Sequence, residues 1–406
     1  MTTTTTPTRD YRRRVSHVER SYLNALAQGS AATIQLVLEG QGHLDPTVLQ
    51  HAVDVASAAN RGMHVVRRGG WWKAGGESPT VQVIDPSKQL QDNEFDDPRV
   101  HSGFDIVRGP VCGVLLQHHP DGTSTLIFRT SHAVSDGRGL EHWTKDVFRV
   151  LRGEEPRGSD SVLTDKHFAD KAAAATGRAG EFEPYDVGSF ASPFAPPALV
   201  PTELGAPVWT RRRVDGKPPA AMAARLAVAV ARSVRRRSNG ADARVVIPVD
   251  MRRHDKSVSS TANLSAPIFL DVDGDSDWSA VHGELLLSLM SAREAAPLVS
   301  GYRGSNGFAQ TLDDAAGGTQ VVDAAEWHPC TAVISDHGTV PLDGYRSADF
   351  AADSIYTLPM LVPYSALFVS AFGTAGHTNL TICHRDRPDA VATANSILDT
   401  VQELMA

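Results

Sequence analysis

Cysteine is scarce in this sequence. The three cysteines among 406 residues, Cys112, Cys330 and Cys383, lie far apart, form no Cys-x-x-Cys pair and are odd in number. We therefore expect neither a disulfide framework nor a cysteine-based zinc site. We expect the protein to belong to a reducing compartment.

A strong charge and a membrane-spanning run are also missing. The formal net charge of −8 argues against nucleic acid or an anionic membrane as the main partner. The longest apolar run, 358–372, is interrupted by Pro363 and is too short to span a bilayer, so we interpret it as a pair of buried strands. The opening residues, MTTTTTPTRDYRRR, are polar and lack the apolar segment of a secretory signal. These features predict a cytoplasmic protein without a membrane span.

The remaining composition is that of a globular protein with a large core. Hydrophobic residues make up 41% of the chain and charged residues 21%, and the length predicts two domains. The segment 180–209 contains six prolines and no helical period, which indicates a linker. We therefore expect an N-terminal domain over 1–179 and a C-terminal domain over 210–406.

Both halves alternate predicted strands with predicted helices. Ser16 and Glu19 have the spacing of a capping box, and Asp45-Pro46 is typical of a helix start. This alternation predicts an α/β fold with two α/β layers. Strands are expected near 32–39, 104–119, 125–130, 243–249 and 262–275, and helices near 140–151, 218–237, 278–295 and 388–405.

One short stretch carries candidate chemistry. In RTSHAVSDGRG (129–139), His132 stands four residues before Asp136, with Gly137 next. A predicted strand precedes the stretch, and the helix after it has one apolar face. The motif is therefore expected in a strand-to-helix loop, where rigid flanks can hold side chains over a cleft.

Two interpretations of this loop stay open from the residues alone. A neutral His132 can take a proton from an alcohol or amine at neutral pH, but it can equally be an ordinary loop histidine. Asp136 can orient the imidazole directly, or it can pair with an arginine and hold the loop. We favour the second role, with Arg252 as partner. Gly137 would let a substrate approach closely because it has no side chain.

HAVSDG (132–137) resembles the HxxxDG motif of the chloramphenicol acetyltransferase-like superfamily. That superfamily includes condensation domains of peptide synthetases, polyketide-associated acyltransferases, wax ester synthases and BAHD plant acyltransferases. Three more segments resemble its members in order and spacing: FDIVRGPVCGVLL (104–116), VVIPVDMRR with TANLSAPIFLDV (245–272), and CTAVISDHG (330–338). The resemblance covers nearly the whole chain.

The resemblance implies a pseudo-dimer of two similar domains with an active-site tunnel between them. It implies an acyltransferase of natural product biosynthesis, which moves an acyl group from a coenzyme A or carrier-protein thioester to the hydroxyl or amine of a small-molecule acceptor. No cofactor or metal is expected, because the thioester is already activated. A carrier protein would be a partner where it carries the thioester. The residues implied are His132 and Asp136 in catalysis, Arg252 and Gly137 in support, and Asn263, Ser335 and His337 in substrate binding, with Ser335 or backbone N–H groups near Gly137 as candidate oxyanion donors.

Three departures qualify the resemblance. The DFGWG-type segment of the plant enzymes is absent, and residues 370–377 occupy the comparable region only loosely. Peptide-forming condensation domains usually carry a second histidine where this chain has Ser131, which favours a stand-alone acyltransferase. Asp336 stands where the family often has asparagine. Two alternatives remain: a free-standing condensation enzyme with a carrier-bound aminoacyl donor, and a catalytically silent homologue that docks carrier proteins or recruits enzymes.

Three further groups of residues each have a functional interpretation and a purely structural one. His118-His119 can bind a metal but is expected to be solvated, since no acidic or cysteine partner is suitably spaced. By family position His337 and His377 can line the tunnel, or they can have a plain surface role. The arginines at 232 and 235–237 can bind phosphate or simply end a helix, where cations complement the dipole.

Overall fold

The computed structural model describes most of the chain. Its described residues are 11–27, 29–88, 95, 97–176, 207–237, 242–299, 330–362, 365–386 and 389–406. The predicted linker, 180–209, lies outside them except for its last three residues, which begin a strand.

The fold is mixed α/β. The strands are β1 (Arg12–Arg14), β2 (Thr33–Gln41), β3 (Val65–Arg68), β4 (Trp71–Ala74), β5 (Val81–Val83), β6 (Cys112–His118), β7 (Thr123–Ser131), β8 (Pro207–Asp215), β9 (Ala243–Asp250), β10 (Ser265–Val272), β11 (Cys330–Thr339), β12 (Ala351–Leu358), β13 (Ser365–Gly373) and β14 (His377–Arg385). The helices are α1 (His17–Ala27), α2 (Pro46–Ala59), α3 (Gly137–Leu151), α4 (Asp165–Thr176), α5 (Met222–Arg237), α6 (Trp278–Met290), the single turn α7 (Ala296–Val299) and α8 (Ala390–Met405).

Two larger sheets organise the two lobes. A five-stranded sheet has the order β12-β2-β7-β6-β5, and a six-stranded sheet has the order β10-β9-β11-β13-β14-β8. β11 runs parallel to both of its neighbours, β9 and β13, whereas the other pairs of the six-stranded sheet are antiparallel. A small sheet, β1-β4-β3, lies at the N-terminal lobe.

Helices pack against each larger sheet, and the core of the N-terminal lobe also includes residues of the six-stranded sheet, such as Val246 and Val333. α2 and α3 pack together against the five-stranded sheet, while α5 packs against α6, α8 and the six-stranded sheet. The predicted apolar face of α3 is buried, and the core of the N-terminal lobe includes its residues Leu140, Trp143, Val147 and Phe148. No helix among the described residues is long and apolar enough to cross a bilayer.

The local signals at helix starts are confirmed. Ser16 and Glu19 form the expected capping box, with the Ser16 amide donating to Glu19 Oε2 at 2.8 Å and the Glu19 amide donating to Ser16 Oγ at 3.2 Å. Asp45 caps α2 by accepting the amides of Thr47 and Val48. These contacts satisfy N–H groups that have no partner within the helix.

One strand does not follow the predicted domain division. β12 belongs to the C-terminal half of the sequence but pairs antiparallel with β2 in the N-terminal sheet. Gly40 permits this close approach, since a Cβ there would lie 2.1 Å from the Ala351 carbonyl oxygen. The apolar run 358–372 therefore spans the end of β12 and most of β13, which lie in different sheets. The predicted strand 104–119 forms only over β6.

Candidate active site

A cavity lies between the two sheets. Its empty volume, which includes a part open to solvent, is about 1180 Å³. The N-terminal lobe contributes residues of α1, β2 and the start of α3, and the C-terminal lobe contributes residues of β9, β10, β11 and β13. His132, Gly137, Ser335 and His337 all lie in its wall.

His132 stands immediately after β7, where the chain leaves the sheet and turns into α3. Its amide donates to the Ala32 carbonyl at 2.7 Å, and its ring packs on Tyr22 with centroids 4.0 Å apart. Nδ1 lies 2.9 Å from the Ser135 carbonyl oxygen. The ring is therefore fixed on two sides by its own loop and by α1.

The neighbours of Nδ1 determine the tautomer. The Ser135 carbonyl can only accept, so the contact of 2.9 Å favours the tautomer with its proton on Nδ1. Asn263 Nδ2 lies 3.1 Å from the same nitrogen but donates to the His132 carbonyl oxygen at 2.7 Å. In the neutral ring Nε2 therefore carries the lone pair, and it has no hydrogen-bond partner among the described residues.

Burial keeps the His132 ring neutral. Desolvation lowers the pKa of His132 to about 4, although the Ser135 carbonyl and the Asp136 carboxylate act in the opposite direction. A neutral imidazole with a free Nε2 is the protonation state that a general base needs.

Asp136 serves the loop and not the imidazole. Its Oδ1 caps α3 by accepting the Gly139 amide at 2.8 Å, and its Oδ2 accepts the Leu264 amide at 2.7 Å. Arg252 donates to both oxygens, at 3.0 and 3.2 Å. The Ser135 carbonyl, not Asp136, bonds His132 Nδ1, so the second of the two roles considered for Asp136 is the one the structure contains.

Arg252 has a partner for each of its five N–H groups. Besides the two bonds to Asp136, it donates to Asp250 Oδ1 at 2.7 Å and to the carbonyls of Ser260 and Ala262 at 3.0 and 2.6 Å. Burial alone raises the pKa of the Asp136 carboxyl, but the adjacent guanidinium outweighs it, and the net pKa is lowered. The pair is therefore charged and fully hydrogen-bonded.

Two glycines at the start of α3 let the loop pack closely. A Cβ on Gly137 would lie 3.1 Å from His337 Cε1 on the opposite wall. A Cβ on Gly139 would lie 2.4 Å from both Ser135 Oγ and the Thr261 carbonyl oxygen. Gly139 was not singled out from the sequence, since a glycine inside a helix gives no sign of what packs against it.

Ser335 and His337 form the facing wall on β11. Ser335 Oγ and His337 Nε2 are 3.1 Å apart, and the His337 ring stacks on Phe372 with centroids 3.9 Å apart. Burial, assisted by Arg138, lowers the pKa of His337 to about 3. A neutral ring and a hydroxyl thus face the loop of His132.

The other candidate groups lie away from the cavity. His377 is buried and bonds Thr374, but it does not line the cavity. His118 and His119 bond Ser124 and Thr125, respectively. Within the described ranges, no cluster of three or more His, Cys, Asp or Glu side chains is arranged to hold a metal.

The arginines at the end of α5 have acidic neighbours. Arg235 pairs with Asp273 and Asp275, and Arg237 pairs with Asp389. Two of the four arginines considered as a phosphate site thus have acidic partners, which favours the plainer interpretation of a helix end for these two.

Comparison with known proteins gives similarity in structure alone. No protein-family model and no curated protein matches the sequence. Among solved structures, the condensation domain of the monacolin K polyketide synthase MokA is 11% identical, with a TM-score of 0.64 over 97% of this chain and 96% of that one. The first condensation domain of the calcium-dependent antibiotic synthetase, in complex with a substrate analogue, is 16% identical, with a TM-score of 0.63 over 97% and 96%. A starter condensation domain of rhizomide synthetase, in complex with C8-CoA and Leu-SNAC, is 14% identical, with a TM-score of 0.62 over 97% and 94%. The chain therefore has the fold of these condensation domains over nearly its whole length.

Proposed function

We propose that this protein is a thioester-dependent acyltransferase in which His132 is the general base. The observation that carries the proposal is the state of His132: a neutral ring, fixed through Nδ1, with Nε2 free and the side chain in the wall of the cavity between the lobes. The fold shared with condensation domains over nearly the whole chain supports the same class of reaction.

In the proposed reaction Nε2 takes the proton of an acceptor hydroxyl or amine as that group attacks the thioester carbonyl. The tetrahedral oxyanion then collapses, the C–S bond breaks, and the proton passes from Nε2 to the leaving thiolate. Positioned proton transfer of this kind contributes about 10²- to 10⁴-fold in rate. Ser335 Oγ is the oxyanion donor that we propose, since it lies in the same cavity wall.

The donor is proposed to be an acyl group on coenzyme A or on the phosphopantetheine arm of a carrier protein, and the acceptor a small molecule. The chemistry needs no cofactor because the thioester is activated. A second candidate is a free-standing condensation enzyme that joins a carrier-bound aminoacyl donor to an amine or alcohol. The structural similarity to condensation domains favours this second candidate, whereas Ser131, in place of a second histidine, favours simple acyl transfer.

The test is an acyl-transfer assay over a panel of acyl and aminoacyl thioesters of coenzyme A and N-acetylcysteamine, each with pooled alcohol and amine acceptors. Thiol release and product mass are measured together. We expect acceptor-dependent thiol release with the wild type and its loss in His132→Ala with an unchanged circular dichroism spectrum. His118→Ala is the matched control, since its ring lies outside the cavity. Unchanged turnover in His132→Ala would exclude His132 as the base, and no release with any pair would favour the silent docking homologue.

A further inference from the structure

A buried carboxylate with one unused oxygen lies in the wall of the same cavity. Glu294 is fully buried and is one of the residues that line the cavity, together with Leu298 four positions later. Its Oε1 accepts from Arg253 Nη1 at 2.7 Å and from His254 Nε2 at 2.9 Å. Its Oε2 has no hydrogen-bond partner among the described residues.

The contacts of Glu294 leave the acceptor positions of Oε2 unfilled. They do not leave the charge of the carboxylate uncompensated. The Arg253 guanidinium already neutralises the carboxylate, so the fold has an ion pair without further help. A carboxylate oxygen offers about two acceptor positions, and leaving them empty in a buried site is unfavourable. The nearby cavity wall includes Ala266, Pro267 and Leu298, whose side chains offer no donor.

The position of Glu294 is tied to that of the His132 loop. A single turn, Met251–His254, follows β9. Arg252 of this turn holds Asp136 from one side, while Arg253 and His254 hold Glu294 from the other. A ligand group on Oε2 would therefore have a fixed placement relative to the proposed base.

We propose that Glu294 Oε2 accepts a hydrogen bond from a substrate group that does not react, an amine in preference to a hydroxyl. An ammonium forms the stronger, charge-assisted bond to a carboxylate, and the apolar wall around it would otherwise disfavour such a group. The substrate class is thus an amino- or hydroxy-substituted acyl compound, not a plain fatty acyl chain. This inference rests on the proposed function, since it assigns a substrate to the same cavity.

The test measures binding without turnover. The probes are N-acyl-N′-acetylethylenediamines, in which an amide replaces the thioester, and they can enter the cavity in the place of either substrate. One set carries ε-aminohexanoyl, ε-hydroxyhexanoyl and hexanoyl groups, and the other carries leucyl and isocaproyl groups. Affinities are measured by isothermal titration calorimetry with the wild type and with Glu294→Gln, which turns Oε2 into a donor while Oε1 can still accept from Arg253 and His254.

We expect an amino or hydroxy member of at least one set to bind wild type about ten- to a hundredfold more tightly than its unsubstituted counterpart. Glu294→Gln should remove that preference and leave the unsubstituted probe within about twofold. Glu294→Asp, which keeps the charge but shortens the side chain, should weaken the same preference and serves if the glutamine variant does not fold.

Two results would overturn the inference: no tighter binding by any amino or hydroxy probe, including no binding at all, or a preference that persists in both variants. These results are separate from those for the proposed function, because the probes cannot react. A Glu294-dependent preference together with full turnover in His132→Ala would retain the binding site and reject only the base.

Discussion

Arg252 donates from both terminal nitrogens to Asp136, across 116 positions of sequence and from one lobe to the other. The guanidinium is only 13% exposed and the carboxylate 3%. Because Asp136 also caps α3 and accepts the Leu264 amide, this one pair fixes the His132 loop to the start of β10.

Arg252→Ala should destabilise the protein by about 3–5 kcal/mol, because it leaves a buried carboxylate without its counter-charge. Transfer activity should fall with it, since the His132 loop loses its anchor. Urea unfolding measures the stability. Arg213→Ala is the matched control, because the Arg213–Asp215 pair is largely exposed and its loss should change stability by less than about 1 kcal/mol. If Arg252→Ala has the same free energy of unfolding and the same transfer activity as the wild type, the role given to the pair is wrong.

Gly139→Ala should destabilise the protein by about 1–3 kcal/mol through overpacking. The new Cβ would meet Ser135 Oγ and the Thr261 carbonyl oxygen at 2.4 Å, and the carbonyl belongs to the backbone and cannot rotate away. Gly283→Ala, also within a helix but facing open space, should be neutral or slightly stabilising. Equal melting temperatures for the two variants would show that α3 moves away from residue 261 at little cost.

The predictable part of this protein is local. The hydrophobic period predicted α3, and the capping signals predicted the starts of α1 and α2. The alternation of strands and helices predicted the fold class. The Asp136–Arg252 pair was also predicted, first as the favoured of two roles for Asp136 and then as an implication of the family resemblance.

The remainder depends on contacts between distant segments. Nothing in β12 itself indicates that it joins β2, since its alternating pattern suits either sheet. Glu294 and Tyr22 lie at ordinary helical positions, and only the folded chain brings them to the cavity of His132. The Ser135 carbonyl that sets the tautomer is a backbone group, on which side-chain patterns carry no information.

Asn263→Leu should lower kcat/KM by about tenfold or more while the protein stays folded. Asn263 Nδ2 donates to the His132 carbonyl oxygen, and without that bond the backbone that places the ring is less constrained. The unsatisfied carbonyl should also cost about 1–3 kcal/mol of stability. Asn379→Leu is a matched control, because Asn379 is equally buried and donates to Ser354 and to the Ile355 carbonyl, outside the cavity. Equal losses of kcat/KM in the two variants would mean that Asn263 acts only through stability.

Acidification should destabilise the protein below about pH 6.5, in part through His132 and His337. Their pKa values are about 4 and about 3 in the folded protein, against 6.5 for a free imidazole. Between these values the unfolded chain binds protons that the folded chain does not, so stability falls as the pH falls, by up to about 1.4 kcal/mol per pH unit for each ring. Urea unfolding at pH 7, 6 and 5 should give a shallower pH dependence for His132→Gln and for His337→Asn than for the wild type.

The same low pKa should keep kcat/KM level from about pH 8 to pH 6, because His132 stays neutral throughout that range. An NMR titration of the His132 ring with a midpoint near 6.5 would contradict this prediction, since it would mean that the ring reaches bulk solvent and that the cavity does not desolvate it.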